Sequence, residues 1–204
     1  MTKGKLFVIS GPSGAGKGTI CKEVLAAERN IRMSVSMTTR APRKGEVDKI
    51  HYHFVDKQAF EALIEEDGFM EYANVYGNFY GTPKKDVIQW LDDGIDVILE
   101  IDVQGALQVK KSYPEGVFIF ILPPSIEELK NRIKARGSET EETMARRLGT
   151  ALQEISLIDQ YDYRVINEDL EVAINRVRAI ITAEQCKLND SEVDRIVRRY
   201  KEEL

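Results

Sequence analysis

A glycine-rich segment near the amino terminus constrains the fold of this chain more than any other feature of its sequence. Gly11-Pro-Ser-Gly-Ala-Gly-Lys17 follows a short apolar, β-branched run at residues 5–10 and precedes a helical pattern that continues to about residue 28. A strand, a glycine turn and a helix in this order are typical of a parallel α/β sheet. Glycines in such a turn let successive backbone amides point inward around an anion. The segment therefore predicts a phosphate-binding loop after the first strand.

The residues that follow this loop supply its positive charge. The helix that begins near Lys17 directs the positive end of its dipole toward the loop, and the lysine offers a mobile ammonium group to nucleotide phosphates. Loops of this type normally carry a Ser or Thr after the lysine, whose hydroxyl reaches Mg²⁺. This chain has Gly18 there and Thr19 one position later. Two arrangements remain open: Thr19 takes over this role, or the ion is held mainly through water and ATP oxygens.

Length, charge and cysteine content limit the kind of protein this chain can form. The 204 residues, 43% of them hydrophobic, suffice for one domain with a single core. A net charge of −5 is unlike that of chains that wrap nucleic acid, so any basic site has to be local. No apolar run is long enough for a membrane span or a signal peptide, and Cys21 and Cys186 lack metal-ligand spacing. These features predict a cytoplasmic protein with reduced cysteines that binds neither nucleic acid nor membranes.

The rest of the chain alternates between strand and helix patterns, with one interruption. Short apolar runs at residues 96–101, 116–122 and 161–166 are typical of strands covered on both faces, and amphipathic helical stripes lie between them. Residues 38–87 differ, because aromatic, strand-like segments at 51–55 and 69–80 flank a helix at 56–66. Thr82-Pro83 then predicts the cap and the first-turn proline of a helix that ends near residue 93. The pattern indicates a parallel α/β core with a small α+β insertion.

Two arginines inside this insertion indicate a second anion site. Arg40 and Arg43 lie three residues apart in a loop that Pro42 makes rigid. Paired guanidinium groups suit a phosphate monoester, because each donates two parallel hydrogen bonds. Tyr52 and Tyr80 are candidates for additional hydroxyl donors. Taken alone, such arginines are more often solvated loop charges.

Taken together, these segments resemble the guanylate kinase family. The matching pieces occur in family order and cover nearly the whole chain: GPSGAGKGT at 11–19, SMTTRAPRKGE at 36–46, HYHF at 51–54, EYANVYGNFYGTP at 71–83, ILEIDVQG at 98–105 and RIKARGSETEETMARRL at 132–148. The resemblance implies a single domain, residues 1–204, with the P-loop nucleoside monophosphate kinase fold. It implies a core (1–37, 88–125 and 159–204), a GMP-binding insertion (38–87) and a mobile helical lid (about 126–158). The implied reaction moves the γ-phosphoryl group of ATP to GMP or dGMP with Mg²⁺, in a monomer or a homodimer.

The resemblance also assigns roles to individual residues. The implied catalytic residues are Lys17, Arg40, Arg132, Arg136 and Arg147. ATP is expected at Gly11, Pro12, Ser13, Gly14, Ala15, Gly16, Lys17, Gly18 and Thr19, with Asn167 near the adenine ring. GMP is expected at Ser36, Arg40, Arg43, Tyr52, Glu71, Tyr80, Thr82 and Asp102, where Thr82 stands in place of the family's serine. Thr19 and Glu100 are the candidates for approaching Mg²⁺, Glu100 through water.

A physical argument supports the two carboxylates as readers of guanine. The Watson–Crick edge of guanine presents N1–H and an N2 amino group as donors, whereas adenine presents an acceptor at N1. An ionised carboxylate pairs with the former and repels the latter, and sites built on such bonds discriminate by roughly 10⁴–10⁵. Asp102 follows an apolar strand, where α/β sheets bind ligands, whereas an isolated glutamate such as Glu71 is more often a solvated edge residue.

Purely structural interpretations are also possible for the remaining assignments. Arg132, Arg136 and Arg147 also fit the charged outer face of amphipathic helices, and Arg146 is expected to be such a residue. Two other functions are compatible with the fold. One is a binding module of the scaffolding type that has lost turnover, and the other is a P-loop kinase for a different acceptor, such as a ribose phosphate.

Overall fold

The structure is a computed structural model that describes residues 3–43, 45–75, 77–135, 140–188 and 190–203. Its strands are β1 (Leu6–Ser10), β2 (Ile31–Met33), β3 (Met37–Thr38), β4 (His53–Phe54), β5 (Phe69–Val75), β6 (Asn78–Pro83), β7 (Asp96–Glu100), β8 (Val117–Leu122) and β9 (Tyr163–Ile166). Its helices are α1 (Lys17–Ala27), α2 (Lys57–Glu65), α3 (Lys84–Asp92), α4 (Val103–Ser112), α5 (Ile126–Ala135), α6 (Glu141–Ile155), α7 (Leu170–Gln185) and α8 (Asp190–Glu202), with a 3₁₀ helix at Ile158–Gln160.

The core is a parallel sheet in the order β2-β7-β1-β8-β9. Helices cover both faces, because the central residues of β1, β7 and β8 are apolar and buried on both sides of the sheet. One face packs on α1 and α7 through Ile20 and Val177, among others. The other packs on α3 and α4 through Leu91 and Val109. The α/β fold predicted from the sequence is confirmed, with strand ends that differ from the expected ones by one or two residues.

A second, mostly antiparallel sheet lies between β2 and β7 in the chain. Its order is β4-β3-β6-β5, and α2 packs on it through Phe60, whose ring stacks on Phe69 at 4.3 Å and on Phe79 at 5.3 Å. The helix begins after Asp56, whose side chain accepts a hydrogen bond from the backbone N–H of Ala59. This aromatic cluster packs α2 against the second sheet, while Met70 of β5 packs in the core beside α3 and α4.

The predicted helix start at Thr82-Pro83 is wrong. Both residues belong to β6, and α3 begins at Lys84 after an extended Pro83 with φ −58° and ψ 128°. Thr82 pairs with Glu71 across β5 and β6, and its hydroxyl donates to the Glu71 carboxylate at 2.7 Å instead of capping a helix. Strand pairing therefore overrides the local capping signal.

Helices α5 and α6 project as a separate pair. Leu129 and Ile133 of α5 pack on Met144 and Ala151 of α6 in a small apolar cluster of their own. Ser125 caps α5 by accepting from the Glu128 backbone N–H at 3.0 Å. The Glu128 carboxylate pairs with Arg132, and among the described contacts it accepts no hydrogen bond from the Ser125 backbone N–H. Residues 136–139, which include the predicted site residue Arg136, lie outside the described residues.

Two further sequence expectations concern cysteines and membranes. Cys21 is buried, Cys186 is exposed, and both are free thiols. Among the described helices, none combines the length and the apolar character needed to cross a bilayer.

Candidate active site

The loop between β1 and α1 has the backbone that the sequence predicts. Gly11 has φ 138° and Gly16 has φ 96°, values at which residues with a side chain are strained. Space excludes a side chain as well: an added Cβ would lie 2.2 Å from the Ile121 oxygen at Gly11 and 2.3 Å from Asn167 Nδ2 at Gly16. The loop is therefore held tightly against the ends of β8 and β9.

Lys17 folds back over this loop. Its Nζ donates to the carbonyl oxygens of Gly11 (2.5 Å) and Pro12 (3.3 Å). Burial lowers the pKa of Lys17, and the nearby carboxylates of Glu100, Glu154 and Asp102 oppose this shift. The Lys17 ammonium group is thus held over the loop, surrounded by loop carbonyl oxygens and acidic side chains.

Two cavities adjoin at the carboxyl end of β7. The first, of about 580 Å³, is lined by Gly11, Ser13, Gly14, Gly16, Lys17, Gly18, Thr19, Glu100, Ile101, Asp102 and Glu154. The second, of about 240 Å³, is lined by Ser36, Tyr52, Glu71, Ala73, Val75, Tyr80, Gly81, Glu100, Ile101 and Asp102. Residues 100–102 border both. The phosphate loop and the insertion therefore face each other across one cleft.

Glu71 is buried at the floor of the second cavity. It is 8% exposed, and its Oε1 accepts from the hydroxyl of Thr82, itself 1% exposed. Burial raises the pKa of Glu71 to about 7; the Thr82 hydrogen bond opposes this shift, and the negative charge of Asp102 adds to it. The carboxyl group is thus poised between its neutral and ionised forms near neutral pH.

Gly105 makes room for Glu71, a role that the sequence analysis did not assign. Asp102 caps α4 by accepting from the Gly105 backbone N–H at 2.8 Å, which brings the first turn of the helix against β5. An added Cβ on Gly105 would lie 2.9 Å from Glu71 Oε2 and 3.2 Å from Glu71 Cδ. A buried carboxyl group next to a capping carboxylate needs this space.

We expect the substitution Gly105→Ala to impair the second cavity without unfolding α4. The added methyl group pushes Glu71 from its position. On the expectation from the family resemblance that the acceptor nucleotide occupies this cavity, its KM rises by roughly tenfold or more while the KM of ATP stays unchanged. Gly149→Ala is the matched control, because Gly149 also lies in a helix but has no described atom within 4 Å of its added Cβ. Steady-state kinetics with each substrate varied in turn checks this, and an unchanged acceptor KM would contradict it.

The paired arginines occupy different environments. Arg40 is largely buried: its guanidinium lies 5.5 Å from the centre of the Tyr52 ring, and its Nε donates to the Tyr80 hydroxyl at 3.2 Å. Arg43 is exposed, and its guanidinium makes no hydrogen bond with the described residues. Arg40 thus adjoins the second cavity through Tyr52 and Tyr80, which line it, whereas neither Arg40 nor Arg43 lines that cavity itself.

Helix α6 also lines the cleft. Thr143, Arg146, Arg147, Thr150 and Glu154 line a cavity of about 540 Å³ together with Ser13 and Val75. Arg147 Nη2 lies 3.5 Å from the Ser13 hydroxyl of the phosphate loop. The interpretation of Arg146 as a residue of the outer face is wrong, because α6 presents Arg146 to the cleft beside Arg147. Glu154 was missed, although it shares a helix face with Arg147, seven residues before it.

Arg132 and Asn167 lie behind the loop. Arg132 donates from Nη2 to the Asn167 carbonyl oxygen at 3.0 Å and from Nε to Glu128 at 2.8 Å, so it is not brought to the cleft lining. The Asn167 side chain donates to the carbonyl oxygen of Ala15 at 2.8 Å and is 6% exposed. These contacts brace the phosphate loop from the side of β9. The predicted contacts of Arg132 with phosphate and of Asn167 with adenine stay predictions.

The cleft suits a hard cation that is held largely by a nucleotide. Thr19 and Glu100 line the first cavity beside Lys17 and offer oxygen ligands. Gly18 faces Glu100 as well, with its added Cβ 3.4 Å from a carboxylate oxygen. Among the described residues there is no group of three or more His, Cys, Asp or Glu side chains suited to a metal.

A phosphate loop that faces a tyrosine- and carboxylate-lined cavity across the carboxyl ends of a parallel sheet, with Arg40 packed against the tyrosines, defines a P-loop nucleoside monophosphate kinase. A family model described as "Guanylate kinase" matches residues 3–184. A guanylate kinase of Caldanaerobacter subterraneus subsp. tengcongensis is 54% identical over 187 residues, 92% of this chain and 91% of that protein. A guanylate kinase of Clostridioides difficile is 52% identical over 202 residues, 99% and 98% of the two chains. The crystal structure of guanylate kinase from Anaplasma phagocytophilum matches with a TM-score of 0.74 at 39% identity, over 91% of this chain and 88% of that one. The chain belongs to the guanylate kinase family.

Proposed function

We propose that the chain transfers the γ-phosphoryl group of ATP to GMP, with ATP at the phosphate loop and GMP in the second cavity. The observation that carries this assignment is the junction of the two cavities at residues 100–102. Donor and acceptor phosphates that enter from either side meet between Lys17 and Tyr80. Family membership supports the same reaction.

The chain has little covalent chemistry to perform in this reaction. The phosphate oxygen of GMP is already a nucleophile, so positioning and charge neutralisation provide most of the catalysis. Loop amides and Lys17 hold the β- and γ-phosphates, and Arg147 adds positive charge from α6. Arg40, Arg43, Tyr52 and Tyr80 hold the acceptor phosphate. The lid helix also borders the cleft, which limits the access of water to ATP.

Guanine is read by the acidic floor of the second cavity. Ionised Glu71 accepts from guanine N1–H and N2–H, while Thr82 fixes one of its oxygens. Asp102 keeps one oxygen on the α4 cap and offers the other to the base. Binding of guanine favours the ionised form of Glu71 and therefore releases a proton below pH 7, since the pKa of the empty site is about 7.

Mg²⁺ is the proposed cofactor. Thr19 and Glu100 would hold it at the first cavity, Glu100 through water, in line with their positions beside Lys17. When bound, the ion neutralises phosphate charge. We further propose that dGMP is also an acceptor, that the protein works in the cytoplasm, and that its partners are these nucleotides and not nucleic acid or membranes.

A panel of acceptors tests the proposed function. ADP formation from ATP is measured with GMP, dGMP, AMP, CMP, UMP and ribose phosphates, each at matched concentration. We expect kcat/KM for GMP to exceed that for AMP by roughly 10⁴, because adenine leaves buried carboxylates without donors. Equal rates with AMP would contradict guanine recognition. Turnover of a ribose phosphate without GMP turnover would indicate a related kinase, and GMP binding without turnover would indicate a binding module.

A further inference from the structure

Glu46 makes a close set of contacts beside the second cavity, and the proposed function gives it no task. Arg40 donates to the Glu46 carboxylate from both terminal nitrogens of its guanidinium, from Nη2 to Oε1 at 2.9 Å and from Nη1 to Oε2 at 3.0 Å. The same Oε2 accepts from the backbone N–H of Arg43 at 2.7 Å, and the Glu46 N–H donates to the Arg43 carbonyl oxygen at 3.0 Å. Glu46 therefore links the two predicted phosphate-binding arginines.

A donor count shows what this link leaves for a ligand. A guanidinium carries five N–H groups. In Arg40, Nε donates to Tyr80, Nη1 donates to Ala41 and Glu46, and Nη2 donates once to Glu46. Among the described contacts, one Nη2 hydrogen remains for a phosphate oxygen. The Tyr80 hydroxyl accepts from Arg40, so its own proton is directed elsewhere and is the second donor of the pair.

The surroundings hold the pair in place. The side chains of Arg40 and Glu46 are 14% and 18% exposed, and the Arg40 guanidinium lies 5.5 Å from the centre of the Tyr52 ring and 5.8 Å from that of Phe54. Hydrogen bonds from Arg40 and Arg43 lower the pKa of Glu46 to about 2, so its charge persists throughout the physiological range. Gly45, with φ 90°, turns the chain so that Glu46 points back toward Arg40.

We propose that Glu46 is a positioning residue for the acceptor phosphate: it stays bound to Arg40 when GMP enters and fixes the direction of the remaining Nη2 hydrogen and of the Tyr80 hydroxyl. This inference rests on the proposed function. Arg43, whose guanidinium makes no hydrogen bond with the described residues, then supplies the adaptable contact. The site thus combines two fixed donors, the Arg40 Nη2 hydrogen and the Tyr80 hydroxyl, with the adaptable guanidinium of Arg43.

The direction in which the KM of GMP changes when Glu46 is replaced distinguishes a positioning role from simple competition with the GMP phosphate. A carboxylate that merely occupies the phosphate position of the empty site would hinder GMP, and its removal would lower the KM of GMP. Coulomb repulsion works in the same direction, because Glu46 and the phosphate are both negative. A positioning role predicts the opposite sign, since Arg40 loses its fixed orientation. A rise in KM is therefore diagnostic despite the lost repulsion.

The experiment compares Glu46→Gln with Glu65→Gln, which removes one negative charge from an exposed position of the same insertion. For Glu46→Gln we expect the KM of GMP to rise roughly tenfold to a hundredfold and the KM of ATP to change less than twofold. Glu46→Asp, whose shorter carboxylate keeps one of the two Arg40 bonds, should recover part of the loss. Thermal unfolding of each variant shows that the fold is retained.

Each outcome decides the matter. An unchanged or lower KM of GMP in Glu46→Gln would overturn the positioning role. Equal rises in the KM of ATP and the KM of GMP would overturn it as well. If the unsubstituted protein fails to phosphorylate GMP, the proposed function fails first, whatever the variants do. GMP turnover by the unsubstituted protein with no effect of Glu46→Gln leaves the proposed function intact and removes this inference alone.

Discussion

Lys17→Ala should lower kcat by roughly 10²–10³ and leave the fold intact. The ammonium group lies over the loop on the Gly11 and Pro12 carbonyl oxygens, where it meets the charge that develops on the transferred phosphoryl group. Burial lowers the pKa of Lys17, so the folded protein gains little from the charge and loses little without it. Steady-state kinetics with saturating ATP and GMP, together with thermal unfolding, measures both effects.

Lys22→Ala serves as the control for this prediction. It removes the same charge from the same helix, but from an exposed position in α1. Its kcat should stay within about twofold of that of the unsubstituted protein, as expected for a solvated surface lysine. Near-normal turnover of Lys17→Ala, or equal losses in both variants, would reject the role of Lys17 at the phosphates.

Glu71→Gln should lower kcat/KM for GMP by roughly a hundredfold and leave the KM of ATP nearly unchanged. The amide replaces one acceptor by an NH₂ group, which opposes the donors of guanine, and a lost hydrogen bond to a charged group is worth roughly 1.5–3 kcal/mol. The Thr82 hydroxyl still finds the remaining oxygen, so the cavity keeps its shape. A selective loss of ATP binding would contradict the assignment of this cavity to the acceptor.

The same variant should be more stable than the unsubstituted protein at alkaline pH. Folding raises the pKa of Glu71 from 4.5 to about 7, so the folded state binds the proton more tightly than the unfolded state does. Ionisation of Glu71 therefore costs stability increasingly from pH 4.5 upward, and the full cost is reached above pH 7. Glutamine does not ionise and avoids this cost, which amounts to at most about 3 kcal/mol.

Unfolding in urea at pH 5 and pH 8 measures this difference. The stabilisation by Glu71→Gln should be larger at pH 8 than at pH 5, and Glu66→Gln, an exposed change in the same insertion, should show no such dependence. A variant that is equally destabilised at both pH values would contradict the raised pKa of Glu71. Function at this site is thus expected to oppose stability.

Local patterns predicted the core well and failed where strands pair over long distances. The phosphate loop and α1 follow directly from residues 11–28, because the amides, the glycines and the lysine are neighbours in the chain. The prediction that a helix starts at Thr82 was wrong because the Thr82 hydroxyl donates a hydrogen bond to Glu71, eleven residues away in the sequence. Arg146 was misplaced because the rotation of α6 depends on its packing against α5. Glu71 is not within one helical turn of Thr82 in the sequence, and α5 is not within one helical turn of Arg146, so local patterns do not contain either contact.

The sequence by itself determined the phosphate-loop backbone of this protein, since a strand, glycines at positive φ and the start of a helix lie within a few residues of one another. The tertiary structure decided the second cavity. Glu71, Thr82, Asp102 and Gly105 come from β5, β6 and the start of α4, and they form a buried acidic floor because two strands pair and a helix packs against them. Burial and the Asp102 charge, which set the pKa of Glu71, exist only after that packing.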